Sequence, residues 1–366
     1  MTVLRHLRPI HPSHVGEDSG AALLELRDVK THFETARGVI RAVDGVSLTV
    51  EKGKILGIVG ESGSGKTVLS RSIMGLLPRR GTVRSGEVLF EGRRLSDLPE
   101  SALRSLRGLE LSMVFQDSMS SLNPVVRIGR QITEVLEYHM GVGVAEARHQ
   151  ALELLRAVEV PDPEQRLREY PHQLSGGMRQ RVAIAMALSC GPKLLLADEP
   201  TTALDVTVQA HVLDLLQDLQ EQRDMAMILV THDLGVVAGR TDEIAVMYAG
   251  KVVERAPTRT LFRDMQMPYT QALLRSVPRI DGPPHATFVT IGGRPPDLAN
   301  PPPGCRFAPR CAYAQDRCRS EEPPLTPGPT AGHFFACWFP LGDTVDAPNP
   351  PDRLDREIAA GRGVVS

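Results

Sequence analysis

The sequence lacks the features that mark membrane-spanning, secreted and nucleic-acid-binding chains. No apolar run approaches the ~20 residues that a membrane-spanning helix needs, and no charged-then-apolar segment opens the chain as in a signal peptide. The formal net charge is -2 and the sequence pI is about 6.6, so the basic surface typical of nucleic-acid-binding proteins is missing. We therefore expect a cytoplasmic protein, and any membrane role must run through partner subunits.

Aromatic residues and cysteines are also scarce. Aromatics make up 4% of a chain that is 42% hydrophobic, which predicts an aliphatic core. Of the five cysteines, four fall in the last third, and in a cytosolic chain such a cluster indicates a metal before disulfides. The fifth, Cys190, shares the apolar face of a predicted helix and is interpreted as a core residue. A length of 366 residues favours about two domains.

A glycine-rich stretch, GESGSGKT, follows the apolar run Ile55–Val59, which predicts a buried strand, and precedes apolar residues at helical spacing. A G-x4-G-K-[ST] match between a strand and a helix predicts a phosphate-binding loop. Its glycines let backbone N–H groups close around phosphate oxygens. Lys66 would reach the β- and γ-phosphates and the Thr67 hydroxyl would ligate Mg²⁺. The predicted nucleotide-binding residues are Gly60, Glu61, Ser62, Gly63, Ser64, Gly65, Lys66 and Thr67.

Polar side chains also end two later apolar runs. Leu194–Asp198 is followed directly by Glu199, and Met227–Val230 is followed by Thr231 and His232. Paired carboxylates at the end of a buried strand are costly unless they are paired or bound to a metal. Strands that alternate with helices predict an α/β core, in which ligands bind beyond the carboxyl ends of the strands. One site can therefore gather these residues around the glycine-rich loop.

The motif set resembles that of ABC-type ATPases. Leu174–Met178, LSGGM, resembles the ABC signature, although methionine stands at 178 where glutamine is commoner. Tyr170–Gln173 and Pro268–Leu273 are similar to the dipeptide/oligopeptide permease branch, which has nickel importers as relatives. The resemblance runs from about residue 24 to 340. It implies a P-loop NTPase core with an antiparallel β-subdomain and a helical signature subdomain.

The resemblance implies roles for the matching positions around the phosphates. Asp198 would hold Mg²⁺ through water, and Glu199 would be the general base. His232 would contact the γ-phosphate as the switch histidine. Gln116 would be the Q-loop residue that links Mg²⁺ and water to the helical subdomain, so the implied Mg²⁺ ligands are Thr67, Gln116 and Asp198.

Further roles implied by the resemblance concern the base and the partner subunit. Phe33 falls where the family places an adenine-stacking aromatic; from the residues alone, packing between edge strands is an equal reading. Ser175, Gly176 and Gly177 would face the γ-phosphate held by a second subunit, and Asp205 would face that subunit. Physically, the reaction is phosphoryl transfer by positioning and charge neutralisation.

The four late cysteines have the spacing C-x5-C-x6-C-x18-C in a proline-studded segment. This spacing lacks the C-x2-C of common zinc modules and differs from ferredoxin runs. Four thiolates still suit a tetrahedral metal or an iron–sulfur cluster. The resemblance implies a [4Fe-4S] cluster, and the alternatives are Zn²⁺, with His333 substituting for one cysteine, or free thiols. The residues concerned are Cys305, Cys311, Cys318 and Cys337.

The expected organisation has four parts. A disordered leader covers 1–22, and a nucleotide-binding domain covers 23–256, with its helical subdomain at about 117–190. A loop-rich, cysteine-containing extension covers 257–340, and a flexible tail covers 341–366. The polar stretch Asp117–Glu134 is the candidate surface for a membrane subunit, with an ordinary solvent loop as the alternative.

The resemblance implies an ATP-hydrolysing subunit that powers import of di- or oligopeptides from the cytoplasmic face of the plasma membrane. Its partners would be a second homologous ATPase subunit, two permease subunits and an extracytoplasmic solute-binding protein, and no nucleic acid. An importer of nickel or another small solute is the alternative. A soluble ABC ATPase acting on ribosomes or DNA is disfavoured, since the chain has one glycine-rich loop, one signature and no sustained heptads. A catalytically dead regulator is opposed by intact Lys66, Asp198, Glu199 and His232.

Overall fold

The computed structural model describes residues 22–78, 80–116, 121–202, 204–277 and 291–343. The predicted leader 1–22 lies outside these residues except for Ala22, which begins the first strand. The predicted tail 341–366 lies outside them except for the short 3₁₀ turn Leu341–Asp343.

The strands of the described residues form two sheets, a four-stranded one of order β2-β1-β4-β5 and an eight-stranded one of order β11-β12-β10-β9-β3-β8-β7-β6. The strands are β1 Ala22–Thr35, β2 Gly38–Glu51, β3 Ile55–Val59, β4 Thr82–Phe90, β5 Arg93–Arg94, β6 Leu111–Val114, β7 Leu194–Asp198, β8 Ala226–Thr231, β9 Glu243–Tyr248, β10 Lys251–Pro257, β11 Thr326–Pro327 and β12 Phe334–Phe335.

Along the sequence, most helices fall between strands of the larger sheet. They are α1 Lys66–Ile73, α2 Glu100–Leu109, α3 Ile128–Met140, α4 Val144–Ala157, α5 Pro163–Arg166, α6 Gly176–Leu188, α7 Val206–Arg223, α8 Leu234–Val237, α9 Thr258–Asp264, α10 Pro268–Ser276 and α11 Asp316–Ser320. No helix in the described part of the chain combines the length and the apolar character that crossing a membrane requires.

The centre of the larger sheet is parallel. β3 pairs in parallel with β8 and β9, β7 with β8, and β6 with β7. Successive side chains on these strands enter two different apolar cores, as the two-residue period of a strand requires. Ile55 and Leu195 belong to the core shared with α3, α4 and α6, whereas Leu56 and Leu196 belong to the core shared with α1 and the four-stranded sheet. The predicted α/β class with an added antiparallel subdomain is confirmed.

The antiparallel sheet is more extended than the sequence pattern predicts. Alternation indicates short strands at 24–29 and 46–50, but β1 and β2 are each 14 residues long and pair from end to end. Their register shifts between Leu26 and Lys30, where Asp28 has a φ of 47°. This bulge interrupts the alternation of apolar and polar residues near Asp28, although β1 itself continues to Thr35.

The helical region also differs in one detail from the expectation. The polar stretch 117–134 is predicted to be loop-like before its helix, but α3 already begins at Ile128. Residues 117–120 lie outside the described part of the chain. Val125, just before α3, is 79% exposed and is the most exposed large hydrophobic residue of the described chain.

The C-terminal extension joins the edge of the larger sheet. β12 pairs antiparallel with β10, matching Glu254 with Phe335, and β11 pairs with β12. Glu254 is fully buried and accepts hydrogen bonds from the backbone N–H of Gln266 (2.5 Å) and from His333 Nε2 (2.9 Å, for a ring protonated there). The extension is therefore continuous with the sheet that carries the glycine-rich loop.

Candidate functional site

The glycine-rich loop leaves β3 and is held against two other strands. A Cβ on Gly60 would lie 2.1 Å from the Met247 carbonyl oxygen, and one on Gly65 would lie 2.2 Å from that of Ala42. Gly65 also has a φ of 103°, which side-chain-bearing residues rarely adopt. Only glycine fits these two positions, so the local sequence follows from how closely the loop approaches β9 and β2.

The loop presents groups that suit an anion. The Ser64 hydroxyl is buried and has no hydrogen-bond partner among the described residues, although its own backbone carbonyl accepts from Gly250 N–H at 2.8 Å. Lys66 Nζ donates to the carbonyls of Gly60 (2.6 Å) and Glu61 (3.1 Å), and burial lowers the pKa of this amine. A buried cation beside an unpartnered hydroxyl and a helix start fits a phosphate group.

Thr67 and Asp198 meet next to the loop. The Thr67 hydroxyl donates to Asp198 Oδ1 at 3.2 Å, and burial raises the pKa of the Asp198 carboxyl. A hydroxyl and a carboxylate are hard oxygen ligands of the kind that Mg²⁺ uses together with substrate phosphates. These two residues therefore fit a Mg²⁺ ion, whereas Gln116, the third ligand that the resemblance implies, donates its Nε2 to Glu199.

Glu199 is the centre of a polar cluster that it forms with Gln116, Thr202, His232 and Lys66. Gln116 Nε2 and the Thr202 hydroxyl both donate to Glu199 Oε2, each at 2.9 Å. His232 Nδ1 lies 3.5 Å from the same oxygen, and Lys66 Nζ lies 3.8 Å from Oε1. The structure thus brings together all four predicted catalytic residues, Glu199, His232, Gln116 and Lys66.

The backbone and electrostatics of Glu199 single it out. Its φ of 47° places a non-glycine residue in the left-handed region, an arrangement that tends to persist at functional sites. The pKa of the Glu199 carboxyl is lowered, chiefly by its contact with His232, and the pKa of His232 is raised by the same contact. The carboxylate is ionised at neutral pH, and it can accept a proton from water or polarise it.

The signature residues lie apart from this cluster within the chain. Ser175 caps α6, accepting from Met178 N–H at 3.3 Å, and a Cβ on Gly177 would lie 2.9 Å from Val208 on α7. Asp205 caps α7 by accepting from Val208 N–H at 2.9 Å. Among the described contacts, none joins Ser175, Gly176 or Gly177 to the glycine-rich loop of the same chain. A role at a second phosphate site would need another subunit.

Phe33 lies near the end of the β1–β2 ribbon. It pairs with Ile40 on β2 and with Thr82 on β4, and its residue is half-buried. Ala42, two residues beyond Ile40, supplies the carbonyl that abuts Gly65. Both predicted readings of Phe33, adenine contact and strand packing, are compatible with this position.

The four late cysteines line one small cavity of about 10 Å³, together with apolar side chains that include Phe307 and Trp338. Burial raises the pKa of the Cys305 thiol, that of Cys311 to about 11 and that of Cys337 to about 12. Backbone hydrogen bonds from residues two or three positions later, such as Phe307 to Cys305, oppose this shift and favour the thiolates.

The side chains around this cysteine cavity do not have the arrangement of a formed metal site. Among the described residues, no group of three or more histidine, cysteine, aspartate or glutamate side chains is arranged to hold a metal ion. His333, the predicted substitute ligand for zinc, instead pairs with buried Glu254. Four thiols that line one apolar cavity, three of them (Cys305, Cys311 and Cys337) with backbone N–H groups on their sulfurs, are nevertheless the donor set that an iron–sulfur cluster uses. The cavity has room for about one water molecule, so the thiols would have to move apart to admit a cluster.

Sequence reasoning missed three residues that contact the site. Thr202, three positions after Glu199, could have been found as a hydroxyl in the same turn. Tyr269, noted only as part of a family motif, accepts from the Glu61 backbone N–H at 2.9 Å. Arg310 donates to the Glu61 carboxylate from 249 positions away, a pairing for which the sequence holds no signal.

Two family models match the chain. Residues 43–202 match "ABC transporter" and residues 253–318 match "Oligopeptide/dipeptide transporter, C-terminal region". The chain is 46% identical over 340 residues to the oligopeptide transport ATP-binding protein OppD of Bacillus subtilis (strain 168), covering 92% of this chain and 95% of that protein. It is 47% identical over 322 residues to the dipeptide transport ATP-binding protein DppD of Escherichia coli (strain K12), covering 88% and 98%.

Solved structures also resemble the chain. The ATP-binding cassette MJ0796, described as a dimeric post-hydrolysis state bound to ADP and Pi, matches with a TM-score of 0.58 and 30% identity. The match covers 64% of this chain and 98% of that one. The shared part is thus a whole cassette, and the remaining third of this chain has no counterpart in that protein.

Proposed function

The chain belongs to the ABC transporter family, in its oligopeptide and dipeptide branch, and we propose from this premise that it is the ATP-hydrolysing subunit of a peptide importer. It is an ABC-type ATPase that uses ATP and Mg²⁺. The observation that carries the proposal is the cluster around Glu199, where the donors from Gln116 and Thr202 hold the carboxylate beside Lys66 and His232.

Each of these groups has its own role in the proposed hydrolysis. Lys66 and the loop N–H groups bind the β- and γ-phosphates. Thr67 and Gln116, with Asp198 through water, would hold Mg²⁺, and the bound ion would supply charge neutralisation at the phosphates. Glu199 takes the proton of the attacking water, and His232 donates to the γ-phosphate. Catalysis then rests on positioning and charge, since the loose transition state of phosphoryl transfer needs little covalent chemistry.

The complete site would require a second ATPase subunit. Ser175, Gly176 and Gly177 lie at the start of α6 and, among the contacts of the described residues, have none with the glycine-rich loop, which supports a role across a dimer interface. Asp205 would face the partner from the start of α7, and Phe33 would stack on the adenine.

The proposal also divides the chain into a nucleotide-binding domain, 23–256, and an extension, 257–340.

The proposed partners follow from the curated relatives. Their names describe transport of oligopeptides and dipeptides, so this chain would act with two permease subunits and a solute-binding protein, bound peripherally at the cytoplasmic face of the membrane. The candidate surface for a permease is the 117–134 stretch, in which Val125 is exposed.

Deleting the coding sequence in the host is expected to abolish uptake of labelled di- and oligopeptides, and wild-type protein should restore it while the Glu199→Gln variant should not. Nickel uptake, measured in the same cells, is expected to stay unchanged. Loss of nickel uptake with intact peptide uptake would favour the nickel alternative, and unchanged uptake of both would overturn the transport proposal.

We also propose that Cys305, Cys311, Cys318 and Cys337 hold a [4Fe-4S] cluster, with Zn²⁺ as the alternative occupant. Support comes from the common cavity of the four thiols and from the backbone hydrogen bonds to the sulfurs of Cys305, Cys311 and Cys337. The role would be structural or regulatory.

Protein purified without oxygen is expected to absorb broadly near ~400 nm and to contain about four irons and four sulfides per chain. The double variant Cys311→Ser/Cys337→Ser should lose most of the iron, whereas Cys190→Ser, a half-buried cysteine outside the cavity, should keep it. A colourless protein with about one zinc would favour the zinc module. If the protein contains neither iron nor zinc, the proposal that the four cysteines hold a metal cofactor is wrong.

A further inference from the structure

We propose that Arg310 and Tyr269, both in the C-terminal extension, are positioning residues for the glycine-rich loop and act through Glu61. We call these two residues the Glu61 clamp. The inference rests on the proposed role of the Gly60–Thr67 loop as the phosphate site. It extends that role, because it makes the extension a working part of the nucleotide site.

The Glu61 clamp holds both the side chain and the backbone of Glu61. Arg310 Nη1 donates to Glu61 Oε2 at 2.6 Å and Arg310 Nη2 donates to Oε1 at 2.9 Å. The Arg310 side chain is 3% exposed, so this is a largely desolvated, two-pronged guanidinium–carboxylate pair. The Tyr269 hydroxyl accepts the Glu61 backbone N–H at 2.9 Å.

Arg310 is itself fixed by the extension and the main sheet. Its Nε donates to the Gly292 carbonyl (2.8 Å), its Nη2 to the Ile291 carbonyl (3.1 Å) and its Nη1 to the Tyr248 hydroxyl (3.3 Å). Every nitrogen of the guanidinium therefore has a defined acceptor. A side chain with this many fixed contacts can set the position of its partner and does not simply follow it.

Tyr269 is fixed by aromatic packing. Its residue is fully buried, and its ring lies 4.5 Å from that of Tyr248 and 5.2 Å from that of Phe307, measured between centroids. Phe307 belongs to the cavity lined by the four cysteines. The hydroxyl that receives the Glu61 N–H is thus aimed by a rigid cluster.

Glu61 transmits this position to the phosphate-binding groups. Its carbonyl accepts from Lys66 Nζ (3.1 Å) and from the Ser64 N–H (3.1 Å). A clamp on Glu61 therefore limits the conformations of the loop before nucleotide arrives, and such preorganisation improves affinity by removing the cost of ordering. Loss of the clamp should weaken nucleotide binding more than it slows the chemical step.

The test is a double-mutant cycle on Arg310 and Glu61, read out as the MgATP dissociation constant, KM and kcat of the full-length protein. Arg310→Gln is expected to raise the dissociation constant and KM about ten-fold, with kcat changed less than about three-fold, as for loss of one desolvated charge-assisted pair. Arg310→Lys should recover part of the affinity. The milder Tyr269→Phe, which keeps the ring and removes the acceptor, should raise the dissociation constant about three-fold.

The cycle separates a positioning role from a structural one. If Arg310 acts through Glu61, Arg310→Gln should have almost no further effect in a Glu61→Gln background. Effects that multiply would mean that Arg310 acts through its contacts with Gly292 and Ile291, and would overturn the proposal. An unchanged dissociation constant in Arg310→Gln would overturn it as well.

Two further variants complete the design. Arg317→Gln is the matched control, since this exposed arginine of the same extension lies over the Trp338 ring, 3.5 Å from its centroid, and pairs with Glu321; it should leave the dissociation constant unchanged. Lys66→Ala should abolish binding. If Lys66→Ala does so while Arg310→Gln has no effect, only the clamp fails; if Lys66→Ala also binds normally, the loop assignment fails and the clamp with it.

Discussion

ATP turnover in the Glu199→Gln variant is expected to fall by about 10²–10⁴-fold, while the MgATP dissociation constant stays within about three-fold of wild type, because general-base catalysis contributes on this scale. Glutamine keeps the size of the side chain, but its carbonyl oxygen cannot take a proton from water. The carboxylate of Glu199 is available for that task, since its contact with His232 lowers its pKa and keeps it unprotonated at neutral pH. Single-turnover and steady-state phosphate release, with an ATP titration, measure both quantities.

The control for this variant is Glu243→Gln, which removes a carboxylate at the start of β9 that pairs with Arg255 of β10 at 2.6 Å, at the opposite end of the strands from the polar cluster. Turnover in the control should match the wild type. Turnover above about a tenth of wild type in Glu199→Gln would contradict the assignment of the base, given the size of the expected effect. Loss of ATP binding in that variant would mean that Glu199 supports nucleotide binding by the glycine-rich loop and does not act as the base for the attacking water.

Nucleotide binding should be lost in the Gly65→Ala variant, with the dissociation constant raised at least about 100-fold, or about 3 kcal/mol. An alanine Cβ would lie 2.2 Å from the Ala42 carbonyl oxygen, a backbone atom that cannot move aside cheaply, and the φ of 103° is itself unfavourable for alanine. The loop must shift, and Lys66 follows at the next position. ATP titration, together with melting curves recorded with and without MgATP, would measure the loss.

Gly38→Ala provides the matched control, because Gly38 also has a positive φ, 117°, but a Cβ there meets nothing within 4 Å. It carries the backbone strain without the steric conflict, and its binding should remain within about three-fold of wild type. Normal ATP binding by Gly65→Ala would mean that the loop has room that the structure does not contain.

The parts of the site that the sequence predicts are those with local signals. Gly60–Thr67 between a strand and a helix, and the carboxylates at the end of β7, are recognisable because each motif lies within one short stretch of the chain. The parallel sheet then brings Gly60, Asp198, Glu199 and His232 to one edge. This follows from the rule that the carboxyl ends of parallel strands meet there.

The parts that the sequence does not predict depend on distant pairings. Arg310 reaches Glu61 across 249 positions, and no pattern in either segment indicates the other. The full lengths of β1 and β2 are hidden by a bulge near Asp28 that breaks their alternation. The left-handed backbone of Glu199 is imposed by tertiary structure, since glutamate has no local preference for it.

The pairing of β12 with β10 has a consequence for synthesis on the ribosome. Glu254 leaves the ribosome long before Phe335, its partner in the strand pairing, and His333, its partner in a buried hydrogen bond. At about 5–20 residues per second, the nascent chain waits several seconds with β10 unpaired and Glu254 lacking its histidine. An unpaired strand edge is a template for association with other chains. The edge of the nucleotide-binding sheet therefore completes its pairing only after residues 333–335 have been made, and nascent chains that stall before residue 333 expose an unpaired strand edge.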